Sequence, residues 1–148
     1  MIQTAEVPMQ PGVSLSKTDC PDTPEAAAKL KHLRYPQLVG SLLYLVEASR
    51  HDLKVAVGNC AKFMSNFGMS HWLAALHILR FLMKYPKMEV VFEYSEDGEG
   101  LILMYECDSA YADCPDTRRS RYGFLGFLAG GVIVAKTAMF KSVMPSTG

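Results

Sequence analysis

The hydrophobic period of the chain changes once, at Pro86, and this change constrains the fold more than any other feature. Before Pro86, apolar residues recur at spacings of three and four, the period of helices with a buried face. After Pro86 they occur in short runs separated by glycines and charged residues, as in antiparallel strands. Helices first and strands second predict an α+β fold, in which a helical N-terminal half precedes an antiparallel β-meander.

Four helices with short connections are predicted before Pro86. The first has Thr23 as its N-cap, Pro24 at its first position and its end near His32. The other three start at Pro36, Asp52 and Ser70. The helix that starts at Pro36 is so apolar that it is predicted to be buried almost all round. The predicted stripes are Leu38, Leu42 and Leu45, widened by Val39, Leu43 and Val46; then Leu53, Val57, Cys60 and Met64; then Trp72, Leu76, Leu79 and Met83.

Four strand-like runs follow, joined by glycine-containing turns. They are MEVVFEYS, LILMYECD, RYGFLGFLA and VIVAKTA, with EDGEG as a hairpin connection between the first two. The chain is therefore divided into an extended lead-in over 1–23, a helical region over 24–86 and a sheet region over 87–148.

Composition excludes several classes of protein. Among 148 residues, 49% are hydrophobic and 20% charged, which is globular composition. Fifteen basic residues balance fifteen acidic ones, so nucleic-acid binding would need a local patch. The apolar runs are too short to span a membrane. Four cysteines without a C-x-x-C, and no signal peptide, predict reduced thiols and an intracellular chain, cytoplasmic or nuclear rather than secreted.

The pentapeptide DCPDT occurs at 19–23 and again at 113–117. Each copy offers one cysteine, whereas structural zinc needs four ligands in closely spaced pairs. Both copies are interpreted as turns. Cys60 and Cys107 lie in apolar segments, where burial raises a thiol pKa and packing is the ordinary role.

Two other features leave alternatives open. Asp108 ends a predicted strand, where a carboxylate can be a Mg²⁺ ligand but is more often a cap or turn residue. The RRSR run places Arg118, Arg119 and Arg121 together, where they can meet phosphates or remain a solvated loop.

Several stretches resemble the copia-type retrotransposon Pol polyprotein, from the end of reverse transcriptase to the start of ribonuclease H. They are YPQLVGSLLYL, RHDLKVAV, KFMSN and HWLAALHILRFL, and VPMQPGVSLSKTDCP resembles the segment after the polymerase domain. The resemblance covers essentially the whole chain in register. It implies a helical connection region over 24–86 and an incomplete ribonuclease H-like sheet over 87–148.

The resemblance also implies a site. Asp108 matches the first metal-binding aspartate, and Arg118, Arg119, Ser120 and Gly123 match the family's Arg-Lys-Ser…Gly positions. Mg²⁺ is the cofactor of the parent family, and RNA–DNA hybrid or DNA its partner. The departures from the family pattern are Ala110 for the second aspartate, Tyr111 for Trp, Asp113 for Gly and His51 for Pro.

The catalytic sets are incomplete by the same comparison. No Tyr-x-Asp-Asp of the polymerase is present, and the sequence stops one residue before the expected second ribonuclease H carboxylate. One carboxylate cannot hold the metal pair of phosphodiester cleavage. The resemblance therefore predicts a truncated, catalytically inactive and marginally stable fragment.

Two alternatives are a non-enzymatic nucleic-acid-binding module and a helical interaction protein. The first would use Arg118, Arg119, Arg121, Lys136 and Lys141. The second would dock a partner on helices 36–48 and 70–84, although no residue pattern points to a specific protein partner.

Overall fold

A computed structural model describes residues 4–93 and 102–142, and within these ranges four α-helices precede a three-stranded antiparallel sheet. The predicted α+β fold is confirmed. The chain divides into a helical unit, Met1–Met88, and a sheet unit, Glu89–Gly148. The α-helices are α1 Pro24–Leu30, α2 Tyr35–Ala48, α3 Lys54–Ala61 and α4 Met69–Lys84, and the strands are β1 Leu103–Ala110, β2 Arg121–Leu128 and β3 Gly131–Met139.

Capping explains where α1 starts. The Thr23 side chain accepts the backbone N–H of Ala26, and Pro24 occupies the first turn, as predicted. A short 3-10 turn, Lys31–Leu33, follows, and Arg34 then reverses the chain in a left-handed conformation with φ of 44°. The next residue, Tyr35, enters the core.

One face of α2 is buried, not its whole circumference. The buried residues are Tyr35, Val39, Leu42 and Val46, at helical spacing. The prediction that α2 is buried almost all round is wrong, because Tyr44 on its outer face is 79% exposed. The α3 stripe is confirmed at Leu53, Val57 and Cys60, whereas Met64 follows the end of α3 and is half-buried.

The buried face of α4 differs from the predicted one by one position. Its core residues are His71, Ala75, Ile78 and Phe81, and Met83 is 51% exposed. His71 decides this register, because its Nδ1 accepts the N–H of the N-cap Gly68 at 2.8 Å. The cap was predicted at Ser70, so that prediction is wrong.

Arg50 joins three parts of the helical unit. Arg50 is 3% exposed, and its guanidinium donates two parallel hydrogen bonds to the Asp52 carboxylate, at 3.0 and 2.9 Å. A third hydrogen bond reaches the Tyr85 carbonyl at 2.7 Å, and the Phe81 ring centroid lies 5.8 Å away. Arg50 follows α2, Asp52 precedes α3 and Tyr85 ends α4, so one side chain fixes three helix termini.

Residues 4–9 of the predicted lead-in dock along α4, and are called the N-terminal arm. Ala5 is buried, and its N–H donates to the carbonyl of Arg80 at 3.4 Å. His77 Nε2 donates to the carbonyl of Val7 at 3.0 Å. The arm is therefore part of the helical unit.

The arm also carries a charged contact at the end of α4. Glu6 accepts a hydrogen bond from the Lys84 ammonium, and a second from the Tyr85 hydroxyl at 3.0 Å. The Lys84 hydrogen bond is the main cause that lowers the pKa of Glu6, and the same bond raises the pKa of Lys84.

The sheet has the order β1-β2-β3, with β1 at an edge. The predicted strand over 88–95 is wrong over its described residues 88–93, which are not assigned to a strand. Their backbone meets the β2–β3 turn instead, where Glu93 N–H donates to the Ala129 carbonyl at 2.7 Å and Phe92 lies against Gly131. The predicted EDGEG hairpin lies outside the described residues.

A glycine lets β1 lie close to β2. Tyr105 pairs with Gly126, and a Cβ on Gly126 would come within 2.9 Å of the Tyr105 ring and 2.6 Å of Val134. Every residue of β1 is nevertheless exposed. In the part of the chain that the structure describes, no helix is both long and apolar enough to cross a membrane.

We predict that Arg50→Ala lowers the free energy of unfolding by about 2 kcal/mol, because it removes the hydrogen bonds that the guanidinium donates to Asp52 and to the Tyr85 carbonyl. Urea denaturation followed by circular dichroism measures this. Lys54→Gln is the control and should cost at most about 1 kcal/mol, since the Lys54–Glu47 pair is partly exposed. Equal effects of the two variants would contradict the role of Arg50.

A second prediction concerns acid pH. Because the folded pKa of Glu6 lies below its ordinary value of 4.5, its contribution to stability is present above pH 4.5 and is lost as the pH falls through the lowered pKa. Glu6→Gln should therefore flatten the dependence of unfolding free energy on pH below 4.5. An unchanged profile for Glu6→Gln would show that the arm contact contributes nothing to stability.

Candidate functional site

Asp108 lies on β1 and faces solvent. It pairs with Gly123 of β2, which in turn pairs with Thr137 of β3, so these three residues share one face of the sheet. The strand continues two residues beyond Asp108, so the prediction that Asp108 ends the strand is wrong. The Asp108 carboxylate accepts the N–H of Ser109 at 2.7 Å, which fixes its orientation.

The surroundings of Asp108 do not form a metal centre among residues 4–93 and 102–142. No group of three or more His, Cys, Asp or Glu side chains converges there. Glu106 shares the face of β1, but two residues along a strand are about 7 Å apart. Gly123 and Thr137 add no carboxylate, so the described residues do not fit a pair of Mg²⁺ ions.

Hydrogen bonds order the loop between β1 and β2. The buried Ser120 accepts the N–H of Ala112 through its hydroxyl at 3.1 Å. Cys114 N–H donates to the carbonyl of Arg119, and Arg118 N–H donates to the carbonyl of Cys114 at 2.8 Å. Ser120 thus closes a turn around the second DCPDT copy.

The first DCPDT copy has different surroundings. Cys20 Sγ donates to the carbonyl of Asn66 at 3.2 Å, and Thr23 caps α1. The two copies share turn chemistry and no common fold element.

The predicted arginines differ in their contacts. Arg121 donates to the Asp113 carboxylate at 2.7 Å, and its side chain is 12% exposed. Arg118 and Arg119 are exposed in the β1–β2 loop. Lys136 pairs with Phe124 and therefore lies on the opposite face of the sheet from Asp108. The five basic residues of the predicted patch do not share one face.

The cysteines correct one prediction and support another. Cys107 is exposed, so the prediction that it is buried is wrong, because β1 has both faces open. Cys60 is buried in the core, where burial raises the pKa of its thiol to about 11. The Tyr35 hydroxyl donates to the carbonyl of Cys60 at 2.8 Å, and burial also raises the pKa of Tyr35.

Two exposed features of the helical unit were missed in the sequence. Tyr44 and the open Gly40 lie one turn apart on α2, where the apolar sequence predicts a helix that is buried almost all round. Lys29, Lys31 and Arg34 are exposed in the connection between α1 and α2. The close spacing of these three basic residues is the sequence signal for a positive patch, and the zero net charge of the whole chain conceals it.

Comparisons with known proteins place the chain among transposon-encoded sequences. It is 34% identical over 140 residues to the Retrovirus-related Pol polyprotein from transposon TNT 1-94 of Nicotiana tabacum, covering 95% of this chain and 10% of that protein. It is 27% identical over 111 residues to a putative transposon Ty5-1 protein of Saccharomyces cerevisiae, covering 75% and 35% respectively.

A third relative is Secreted RxLR effector protein 161 of Plasmopara viticola, with 30% identity over 118 residues, covering 80% of this chain and 81% of that protein. No family model matches the chain, and no solved structure matches it.

These relatives indicate that the chain originates from a retrotransposon polyprotein. The chain belongs to the copia-type retrotransposon Pol family. It spans about 10% of the length of the Nicotiana tabacum polyprotein. The RxLR relative is named as a secreted protein, which describes that protein; the intracellular location of this chain stays a prediction.

The thiols provide a test of the core. Burial raises the pKa of the Cys60 thiol to about 11, so little of the reactive thiolate is present near neutral pH. We predict that iodoacetamide modifies the exposed Cys107 in the native protein and leaves the buried Cys60 unmodified until the protein is denatured. Peptide mass spectrometry over time measures this, and equal labelling rates in native protein would contradict the burial of Cys60.

Proposed function

We propose that this chain is the part of a copia-type Pol polyprotein that follows the polymerase palm and enters ribonuclease H. The helical unit would support a primer–template duplex, and the sheet would present the first carboxylate of the hydrolytic site. The parent activities would be RNA-directed DNA synthesis and hydrolysis of RNA–DNA hybrids. This proposal rests on the family and on the position of Asp108.

The observation that carries the proposal is the setting of Asp108. Its carboxylate is exposed on a strand whose cross-strand neighbours, Gly123 and Thr137, are small, so a nucleic-acid backbone can approach that face. Glycine opposite the carboxylate removes a side chain that would stand beside it. The resemblance assigns the first metal-binding aspartate to this position.

The outer face of α2 supports a role in holding a duplex. Gln37, Ser41 and Tyr44 point away from the buried stripe, and no atom lies within 4 Å of a Cβ placed on Gly40. These residues form an uncharged surface with one exposed aromatic ring. Such a surface can lie against sugars and base edges without desolvating a charge.

We propose that this chain alone is catalytically inactive. Phosphodiester hydrolysis needs two metal ions about 3.5–4 Å apart, held by several carboxylates. A single carboxylate binds Mg²⁺ weakly, because this ion gives up its waters reluctantly. Mg²⁺ would be the cofactor of the complete parent site, where Asp108 would be one ligand.

A second candidate is a nucleic-acid-binding module without catalytic activity. The observation that favours it is the exposure of Arg118 and Arg119 in an ordered loop. It predicts salt-dependent binding that depends on these two arginines.

An assay with a labelled RNA–DNA hybrid and Mg²⁺ tests the proposal. We expect the purified chain to bind the hybrid and not to cleave it, with binding equal in wild type and Asp108→Asn. The mutation should not affect folding, because Asp108 is exposed. Cleavage by wild type that is lost in Asp108→Asn would overturn the proposed inactivity, and an absence of binding at low salt would overturn the duplex-supporting role.

A further inference from the structure

The balanced charge of the whole chain conceals an opposite imbalance in its two units. The helical unit, Met1–Met88, contains ten Lys and Arg against six Asp and Glu, a formal net charge of +4. The sheet unit, Glu89–Gly148, contains five against nine, a net charge of −4. A polyanion is therefore attracted to the helical unit, although the sheet unit holds the arginine-rich loop.

The positive charge of the helical unit is concentrated between α1 and α2. Residues 26–46 contain Lys29, Lys31 and Arg34 and no acidic residue. All three side chains are exposed, and His32 between them is also exposed. We call Lys29, Lys31 and Arg34 the basic turn.

Three other basic residues of the helical unit form ion pairs with acidic side chains. Arg50 bonds Asp52, Lys54 bonds Glu47 and Lys84 bonds Glu6. Within residues 4–93 and 102–142, no acidic side chain forms an ion pair with a residue of the basic turn, although Glu25 lies one helical turn before Lys29. The charges of the basic turn therefore remain available to an external anion.

Arg34 occupies a backbone conformation that favours glycine. Its φ is 44°, in the left-handed region, where a side chain on Cβ is strained. Arg34 is also the N-cap residue of α2. It therefore lies at the end of this 14-residue helix where the helix dipole is positive.

We infer that the basic turn contacts the phosphates of a nucleic-acid duplex and is the main electrostatic contact of this chain. The inference rests on the proposed function, and specifies which surface meets the backbone of the duplex. Lys29, Lys31 and Arg34 bind phosphate without reading bases, so the contact depends on salt and not on sequence. The arginines of the β1–β2 loop are secondary, since Arg121 is held by Asp113 and the sheet unit is net negative.

The test measures fluorescence anisotropy of a labelled RNA–DNA hybrid with the full chain, from about 50 to 200 mM salt. The slope of log affinity against log salt is negative. Lys29→Gln with Lys31→Gln should reduce its magnitude by about 1.8, at about 0.9 per lost contact. Lys54→Gln with Lys84→Gln is the matched control. It removes the same charge from paired lysines of the same unit and should leave most of the slope.

Arg34→Gly separates binding from folding. Glycine accepts the left-handed conformation without strain, so the melting temperature should stay the same or rise while hybrid affinity falls. A merely structural Arg34 would show unchanged affinity, which would overturn its phosphate contact. Circular dichroism on each variant verifies the helical content.

The outcomes separate this inference from the proposed function. The inference is supported if the salt dependence of affinity weakens in the basic-turn variants and is retained in the double variant Arg118→Gln and Arg119→Gln. The reverse pattern overturns the basic turn and leaves duplex binding intact. If wild type does not bind the hybrid at the lowest salt, both the inference and the duplex-supporting role are wrong.

Discussion

The hydrogen bonds of the buried Arg50 side chain are the constraint on which the helical unit depends. Arg50 is 3% exposed, so its guanidinium must satisfy its donors within the protein, and it does so at the end of α2, before α3 and at the end of α4. With these termini joined, the stripe of α2 meets those of α3 and α4. The exposed outer face of α2 and the basic turn before it are displayed as a consequence of this packing.

The two units differ in how they use apolar residues. The helical unit buries Tyr35, Leu53 and Ile78 almost completely. In the sheet unit, β1 is exposed along its whole length, including Leu103 and Met104. An edge strand with apolar side chains is a surface that proteins normally cover. Asp108 lies on this strand, so the proposed catalytic position and the least covered element coincide.

The sequence predicted those features of the fold that depend on residues close together in the chain. The Thr23 cap, the start of α1 and the stripe Leu53, Val57 and Cys60 follow from side-chain chemistry and helical period. The register of α4 could not be predicted from hydrophobicity, because its inner face includes His71, a polar residue satisfied by the Gly68 N–H. The exposure of Cys107 and the Arg121–Asp113 pair depend on which strands form and on contacts between residues distant in sequence.

The most direct test of the account is hydrogen–deuterium exchange of the full chain with and without an RNA–DNA hybrid. The account predicts that the hybrid slows exchange in peptides spanning the basic turn and α2, residues 29–48, because both lie on the proposed duplex-facing surface. Peptides containing the arginines at 118–121 should change less. Protection confined to the β1–β2 loop, or no protection in either region under conditions where the hybrid is bound, would contradict it.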